Sequence, residues 1–171
     1  KLFLKSSLIF KQLIDNQNII LKDMNDSMDI KLTDNVSISA FFVPHRNELS
    51  ETVGYRIKSK KKSLIYIPDI DSWKEWDTNL NQLIKNNDIL ILDGTFYTKS
   101  EIKHRDIQKI PHPSIRDSMT IMQANTPKEK NKIYFTHLNH TNKVLDEGSK
   151  EYNNVITSGY NILKDKQIFN L

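Results

Sequence analysis

Aspartates and histidines follow several apolar segments of the sequence, at the points where strands would end. Asp69 follows Ile-Tyr-Ile-Pro, Asp93 follows Ile-Leu-Ile-Leu, His137 follows Ile-Tyr-Phe-Thr, and His45 follows Phe-Phe-Val-Pro. In layered α/β proteins strand ends meet at a shared edge of the sheet, so these side chains would come together. Carboxylate oxygens and imidazole nitrogens are usual ligands of Zn, Fe and Mn. The pattern therefore predicts a metal site at that edge, with Asp69 and His137 as ligands.

A structural interpretation of these residues also stays open. An Asp after a strand is often a turn residue or a helix N-cap, and Asp71 stands beside Ser72 as a capping candidate. His112 lies between two prolines, which fix its backbone direction. That arrangement suits a substrate contact and equally suits the entry into a helix. The recurrence of acids and histidines at strand ends favours the functional interpretation.

The elements that would position these side chains follow from hydrophobic periodicity. Residues 1–16 show a mild helical period. Ser72 and Glu75 form a capping-box pattern that predicts a helix to about residue 86, and a second helix is predicted over 114–124. Strands are predicted over 18–22, 28–32, 36–43, 52–58, 63–67, 88–92 and 132–138, with one or two more in 155–171. A long loop is predicted over 94–113 and a polar connection over 126–131.

The order of these elements predicts an α/β protein with a mixed sheet and helices on one face. The chain has 171 residues, which suits one domain. Cys is absent, and this excludes disulfides, thiolate zinc sites and a Cys nucleophile. No apolar run approaches the roughly 20 residues of a membrane-spanning helix, and no signal-peptide pattern occurs. We therefore expect a cytoplasmic protein without a membrane partner.

The net charge of +4 raises the question of a nucleic-acid partner. The basic residues are scattered, however, apart from a lysine cluster at residues 58–62. That cluster lies between two predicted strands, where a solvated hairpin tip is expected. A phosphate-binding face needs basic residues gathered on one surface, so we expect no nucleic-acid partner.

Five stretches of the sequence occur in the order found in one known family. They are Val-Pro-His-Arg-Asn-Glu-Leu-Ser-Glu-Thr-Val-Gly-Tyr-Arg-Ile (43–57), Ile-Pro-Asp-Ile-Asp-Ser-Trp (67–73), Asp-Gly-Thr-Phe (93–96), Arg-Asp with Ile-Pro-His-Pro (105–106 and 110–113), and Phe-Thr-His-Leu-Asn-His-Thr-Asn (135–142). Together they resemble the pyrroloquinoline quinone (PQQ) biosynthesis protein B family of the metallo-β-lactamase superfamily. The resemblance covers most of residues 17–171.

The resemblance implies an αβ/βα sandwich with a divalent metal at one edge of two facing sheets. Asp69 would match the late Asp ligand of the superfamily, which can bridge two metals, and His137 its last His ligand. Asp93 would be the acid that supports the ligands. The catalytic residues implied are Asp69, Asp93, His45 and His112, and the substrate-pocket candidates are Arg46, Glu51, Arg105, Asp106 and His140.

Two departures from the family pattern affect what we expect. The superfamily signature His-x-His-x-Asp-His does not occur, and the sequence begins with Lys1 rather than Met. We therefore expect residues 1–171 to be a single partial domain, the C-terminal portion of a longer protein. His104 and Lys143 replace a Gly and a Pro of the family pattern, both in predicted loops.

Three functions stay open at this point. The resemblance implies an enzyme of PQQ biosynthesis, proposed to hydroxylate a tyrosine-derived intermediate, or a role in PQQ transport. The alternatives are a metal-dependent hydrolase of a phosphodiester or ester, and an inactive fragment. Zn, Fe and Mn all suit Asp and His ligands. The expected partners are a small-molecule or tyrosine-derived substrate and, through exposed core surface, a second copy in a homodimer.

Overall fold

A seven-stranded mixed sheet forms the centre of the molecule, and its strands follow the order of the chain. The computed structural model describes residues 2–25, 28–46, 48, 50–101 and 111–171. The strands are β1 Ile30–Thr33, β2 Val36–Val43, β3 Thr52–Ser59, β4 Ser63–Ile67, β5 Ile89–Asp93, β6 Ile133–Thr136 and β7 Asn161–Ile162. Strands β1 to β4 pair antiparallel, whereas β4 to β7 pair parallel.

Helices connect the parallel strands, and polar side chains cap them. The helices are α1 Leu2–Ser6, α2 Leu8–Asp15, α3 Leu80–Asn86, α4 Ile115–Ile121, α5 Pro127–Lys130 and α6 Lys150–Thr157, with short 3-10 helices at Lys99–Glu101 and Lys143–Leu145. Asn79, Ser114 and Ser149 accept backbone N–H groups at the starts of α3, α4 and α6. No helix of the described residues is long and apolar enough to cross a membrane.

The two faces of the sheet are covered differently. On the helix-side face, Ile65, Leu92 and Phe135 pack in a large core with residues of α3, α4 and α6. On the opposite face a smaller cluster, Leu64, Ile89 and Ile91, packs against Leu163, Phe169 and Leu171 of the chain that follows β7. Strand β5 is buried at every position, as its uninterrupted apolar run predicts.

The α/β fold class with a mixed sheet is confirmed. The strands predicted over 36–43 and 63–67 match β2 and β4, and the other strands differ from the predictions by a few residues at their ends. The strand predicted over 18–22 is wrong, because no strand forms there and Ile20 is exposed. A strand of that kind needs a partner, and the described residues supply none to this segment.

The helix predicted from Ser72 to about residue 86 is wrong in its first half. Ser72 caps only a local turn, accepting the N–H of Lys74 at 3.2 Å, and α3 starts after Asn79. The indole of Trp73 donates to Ser118 Oγ at 2.8 Å, and that of Trp76 to the Phe42 carbonyl at 3.1 Å. These long-range contacts hold the segment in a turn conformation and override its local helical preference.

Two further segments differ from the prediction. Residues 126–131 contain helix α5, whose Thr126 and Glu129 form a complete capping box. Part of the 155–171 segment, predicted as strands, belongs to α6, which Ser149 caps and which buries Val155 in the core. The only strand there is the two-residue β7, Asn161–Ile162, among the residues described.

Candidate metal centre

The carboxyl ends of β4, β5 and β6 bring three predicted site residues to one edge of the sheet. Asp93 is the last residue of β5, Asp69 lies two residues beyond β4, and His137 directly follows β6. These strands are parallel neighbours in register, so their ends lie side by side. His137 has a φ of 57°, a left-handed conformation that non-glycine residues adopt mainly at constrained positions.

His112 joins these residues from the start of α4. Pro113 and the N-cap Ser114 separate it from the helix, whose Ile115 N–H donates to the Phe96 carbonyl at 2.8 Å. Asp69, Asp93, His112 and His137 each offer one ligand atom, and these atoms all lie within 4.8 Å of one another. The structure thus brings together both residues predicted as metal ligands, Asp69 and His137, and three of the four predicted to be catalytic, since Asp69 is predicted in both roles.

Asp93 is completely buried and fully engaged in hydrogen bonds. Its Oδ1 accepts the backbone N–H and the hydroxyl of Thr95 at 2.9 and 2.8 Å. Its Oδ2 accepts the N–H of Ile70 at 3.2 Å and pairs with Nδ1 of His112 at 2.7 Å. The Asp93 side chain is 0% exposed. A carboxylate has about four lone-pair sites, so these contacts occupy them all.

The pKa of His112 is raised above its ordinary value. Burial is the largest single influence and lowers this pKa, but the hydrogen bond and charge of Asp93, with the charges of Asp69 and Asp71, outweigh it. The Asp93 partner also orients the imidazole. Because Nδ1 of His112 faces Asp93, the ring presents its other nitrogen away from that carboxylate.

His45 lies beside this cluster and faces two acids. Its Nδ1 is 2.9 Å from Asp71 Oδ1, and its Nε2 is 3.8 Å from Asp69 Oδ1. The rings of His45 and His112 have centroids 5.3 Å apart. The backbone N–H of Arg46, in a left-handed conformation with φ 46°, donates to Asp71 Oδ2 at 3.2 Å. Asp71 therefore holds the turn that follows His45 and places its carboxylate beside that imidazole.

The donor set suits a divalent metal ion. Asp69 is 3.4 Å from His137 Nδ1 and 3.8 Å from His112 Nδ1, and all its ion-pair partners within the described ranges are imidazoles. No Lys or Arg in those ranges balances its charge. The side chains of His137 and Asp69 are 44% and 32% exposed, so an ion could reach them. Oxygen and nitrogen donors of this kind accommodate Zn, Fe and Mn.

The substrate-pocket candidates are dispersed. The Arg46 side chain turns to Glu48, with Nε and Oε1 2.5 Å apart. Glu51 lines a separate cavity of about 800 Å³ together with Phe41, Arg56 and Trp76. His140 is exposed and lies outside the metal-ligand group found among the described residues. Arg105 and Asp106 fall outside the described residues.

Three residues of the site have roles that sequence reasoning missed. Asp71, interpreted as a capping candidate, pairs with His45. Thr95 links Asp93 to both histidines of the cluster. Asn142, 2% exposed, donates its Nδ2 to the carbonyls of Gly94 and Thr95. Thr95 and Asn142 lie in two of the stretches that resemble the PQQ biosynthesis protein B family, residues 93–96 and 135–142, and this position was the only sequence signal of their roles.

Gly94 allows the ends of β5 and β6 to approach each other. A Cβ atom at this position would lie 2.8 Å from Cβ of Phe135 and 3.1 Å from the Thr136 carbonyl oxygen. The N–H of Gly94 donates to that same carbonyl at 2.9 Å. This close contact places Thr95 directly next to His137, which follows Thr136.

Comparisons with known proteins agree with this architecture. The family model of the "Beta-lactamase superfamily domain" matches residues 4–138. A "Coenzyme PQQ synthesis protein B" from Gluconobacter oxydans is 24% identical over 148 residues, which cover 78% of this chain and 48% of the relative. The protein of that name from Methylococcus capsulatus is 25% identical over 136 residues, 72% of this chain and 43% of the relative. The chain spans about half the length of the curated relatives it matches.

Solved structures show the same fold. Zn(2+)-bound PqqB from Methylobacterium extorquens superposes with a TM-score of 0.72 at 22% identity, over 98% of this chain and 58% of that one. The metallo-beta-lactamase fold protein YhfI from Bacillus subtilis superposes with a TM-score of 0.51 at 16% identity, over 94% and 58%. The predicted metallo-β-lactamase-like fold is therefore confirmed.

Proposed function

Because the chain belongs to the Beta-lactamase superfamily domain family, we propose that it carries metal ligands of a metal-dependent enzyme acting in PQQ biosynthesis. The observation that carries the proposal is the group Asp69, Asp93, His112 and His137 at the ends of three parallel strands. The curated relatives named for coenzyme PQQ synthesis support the pathway. The superposition on PqqB supports the fold in which these residues meet.

The residues of the group have different proposed roles. Asp69, His112 and His137 are the ligands that this part of the chain supplies, through one carboxylate and two imidazoles. Asp93 already accepts hydrogen bonds at all its lone-pair sites, so it positions His112 and Thr95 rather than donating to the metal. When bound, the metal would supply Lewis-acid or redox chemistry to the substrate.

The finer parts of the proposal concern the metal, the substrate and the surroundings. Zinc suits hydrolysis and iron suits oxygenation, and manganese fits the same ligands. We propose a tyrosine-derived intermediate as the substrate and its hydroxylation as the reaction, in the cytoplasm and without a nucleic-acid or membrane partner. His45, held beside Asp69 and Asp71, is proposed to face this substrate.

We also propose a homodimer. The support is exposed apolar surface, with Leu8 and Ile9 of α2 exposed at 84% and 73% and Phe42 of β2 at 50%. Light scattering on the purified chain measures the mass in solution. A monomer at high concentration contradicts this part of the proposal without touching the metal site.

Metal binding is tested by titrating the chelator-treated chain with Zn²⁺, Mn²⁺ or anaerobic Fe²⁺ in a calorimeter. We expect a defined number of metal ions bound per chain. The affinity should fall about 100-fold or more in Asp69→Ala and in His137→Ala, since each variant removes a ligand. His140→Ala is the matched control, because it removes an exposed imidazole outside the group. Equal affinity in wild type and His137→Ala would contradict the ligand assignment.

The pathway is tested in a bacterial strain that lacks its own coenzyme PQQ synthesis protein B. Expression of this chain should restore PQQ, measured by mass spectrometry, and the His137→Ala variant should not. Restoration by both variants would contradict a metal-dependent role. Failure of both to restore PQQ, with good expression and intact metal binding, would contradict the pathway.

A metal-dependent hydrolase outside PQQ biosynthesis is the second candidate. The match to a family described only as a beta-lactamase superfamily domain favours it, since that description names no PQQ function. Metal-loaded protein would then hydrolyse bis(p-nitrophenyl) phosphate or p-nitrophenyl acetate, with the activity lost in Asp69→Ala. Absence of such activity in metal-loaded protein speaks against this candidate and leaves the first one standing.

A further inference from the structure

The proton positions around Asp93 follow from which groups can donate. A carboxylate only accepts, and Asp93 Oδ1 is 2.8 Å from the Thr95 hydroxyl oxygen. Two oxygens at that distance without a proton between them would repel each other. The single hydroxyl proton of Thr95 is therefore directed at Asp93. In the same way, the Nδ1 proton of His112 is directed at Asp93 Oδ2, 2.7 Å away.

The Thr95 oxygen can then only accept from its other neighbours. Its closest further neighbour is Nδ1 of His137 at 3.0 Å, while Nδ1 of His112 is 3.3 Å away and already donates to Asp93. A contact with His137 at 3.0 Å is favourable only if Nδ1 of that ring carries the proton. Ring tautomers are set by such partners. The hydroxyl is the nearer of the two acceptors that face Nδ1 of His137, since Asp69 Oδ1 lies 3.4 Å from that nitrogen, and both acceptors favour the proton on Nδ1.

The position of Thr95 is itself rigidly held. Its carbonyl accepts the N–H of Asn139 at 3.0 Å and the side-chain amide of Asn142 at 3.2 Å. Its N–H donates to Asp93, and the residue is only 7% exposed. A hydroxyl fixed by its own backbone on both sides has little freedom to follow a ring that rotates. It therefore acts on His137 rather than adjusting to it.

We infer that Thr95 is a positioning residue, whose hydroxyl, held by Asp93, accepts Nδ1–H of His137 and leaves Nε2 as the metal-binding nitrogen. The inference rests on the proposed metal site, because it assigns the nitrogen that the ligand uses. It goes further in naming a group outside the ligand set that selects the tautomer. His112 is controlled independently, by direct contact with Asp93.

The first experiment needs no metal. The chain, labelled with ¹⁵N at histidine and freed of metal by chelation, is examined by long-range ¹H–¹⁵N NMR while the pH is raised until the histidine signals no longer change, so that neutral imidazoles reveal their tautomer. We expect His137 as the Nδ1–H tautomer in wild type. In Thr95→Val, which keeps the shape and removes the hydroxyl, we expect a mixture with the Nε2–H form. Thr95→Ser should restore the wild-type pattern.

His112 serves as the internal control, because its tautomer depends on Asp93 rather than on Thr95. Its signals should keep the Nδ1–H pattern in all three proteins, and backbone amide spectra should show that each variant is folded. A wild-type His137 in the Nε2–H form overturns the inference. So does a His137 tautomer that is identical in wild type and in a folded Thr95→Val variant.

The second experiment adds Zn²⁺ to the same samples. Zinc should shift Nε2 of His137, and Thr95→Val should bind about 10-fold or more weakly, as loss of a ligand's hydrogen-bond partner typically does, with Thr95→Ser close to wild type. Zinc on Nδ1 overturns the inference while leaving the metal site intact. If wild type binds no zinc, the metal proposal fails, and the tautomer result still decides whether Thr95 controls His137.

Discussion

Two histidines of the site are each paired with a carboxylate, but the two pairs lie in different surroundings. In the inner pair, Asp93 and His112 have side chains 0% and 13% exposed, and Asp93 receives four hydrogen bonds. In the outer pair, Asp71 and His45 are 29% and 17% exposed, and the pair lies on the loop after β2 and the turn after β4. The inner pair belongs to the core, and the outer pair to the surface of the site.

This difference separates two ways of holding an imidazole at the site. A buried carboxylate costs desolvation and is stable only when every acceptor site is used, so the inner pair is tied to folding itself. In the outer pair the side chains are partly exposed, although the facing atoms, Nδ1 of His45 and Oδ1 of Asp71, are themselves buried. We conclude that the inner pair is the more strongly tied to the core, so its loss should cost more stability than loss of the outer pair.

The largest effect is expected for Asp93→Asn. The amide places a donor where Asp93 accepts from Ile70, Thr95 and His112, so at least one donor loses its partner inside the core. Breaking a buried charged pair from one side costs about 3–5 kcal/mol, so urea denaturation should show a loss of that size in the free energy of unfolding.

The exposed Asp77→Asn is the matched control for that variant. It makes the same chemical change at an exposed position, and stability should stay within about 0.5 kcal/mol of wild type. If Asp93→Asn were as stable as Asp77→Asn, the buried Asp93 would contribute no more to the free energy of unfolding than an exposed carboxylate, and the assignment of the inner pair to the core would be wrong.

An intermediate effect is expected from pH in metal-free protein. The pKa of His112 is raised in the folded state, chiefly because Asp93 outweighs the opposing effect of burial, so the folded state binds this proton more tightly. The resulting stabilisation is fully present below the ordinary pKa of about 6.5 and is lost as pH rises through the raised pKa.

Urea midpoints of wild type and His112→Gln, taken at several pH values, isolate this contribution. The difference between the two proteins should be largest below the ordinary pKa of about 6.5 and should shrink as the pH rises through the raised pKa of His112. A difference that grows with pH would mean that burial dominates and that the inner pair does not hold its proton.

The smallest effect is expected for Asp71→Asn. The Asp71–His45 pair is partly exposed, although its facing atoms are buried, so its loss should cost less unfolding free energy than the roughly 3–5 kcal/mol expected for Asp93→Asn. Metal affinity should also change little, because His45 lies outside the ligand group. A loss as large as that of Asp93→Asn would erase the distinction between the two pairs.

Much of the site could be predicted because strand ends carry its chemistry. Asp69, Asp93 and His137 each follow an apolar run, and the parallel pairing of β4, β5 and β6 brings such ends together. The roles of Asp71 and Thr95 could not be predicted this way. Each depends on a contact with a histidine that is distant in sequence, Asp71 with His45 and Thr95 with His137, and a local sequence pattern does not encode such a partner.

Prediction of the fold from local sequence patterns is limited in the same way. Strand β5 was predictable because burial on both faces demands an apolar run. The capping pattern at Ser72 predicted a helix, yet Trp73 and Trp76 bond to Ser118 and Phe42 and hold a turn. A local signal was outweighed there by contacts that exist only in the folded chain.

The contact beneath Gly94 also constrains which sequences can build this site. A Cβ atom at position 94 would collide with the Cβ of residue 135 and crowd the Thr136 carbonyl oxygen, and a smaller side chain at 135 removes neither atom unless it is Gly. In a combinatorial library randomised at 94 and 135, folded clones should therefore keep Gly at 94 whichever side chain stands at 135. The glycine of the Asp-Gly-Thr motif would then mark a requirement of the backbone itself, independent of the size of its neighbour.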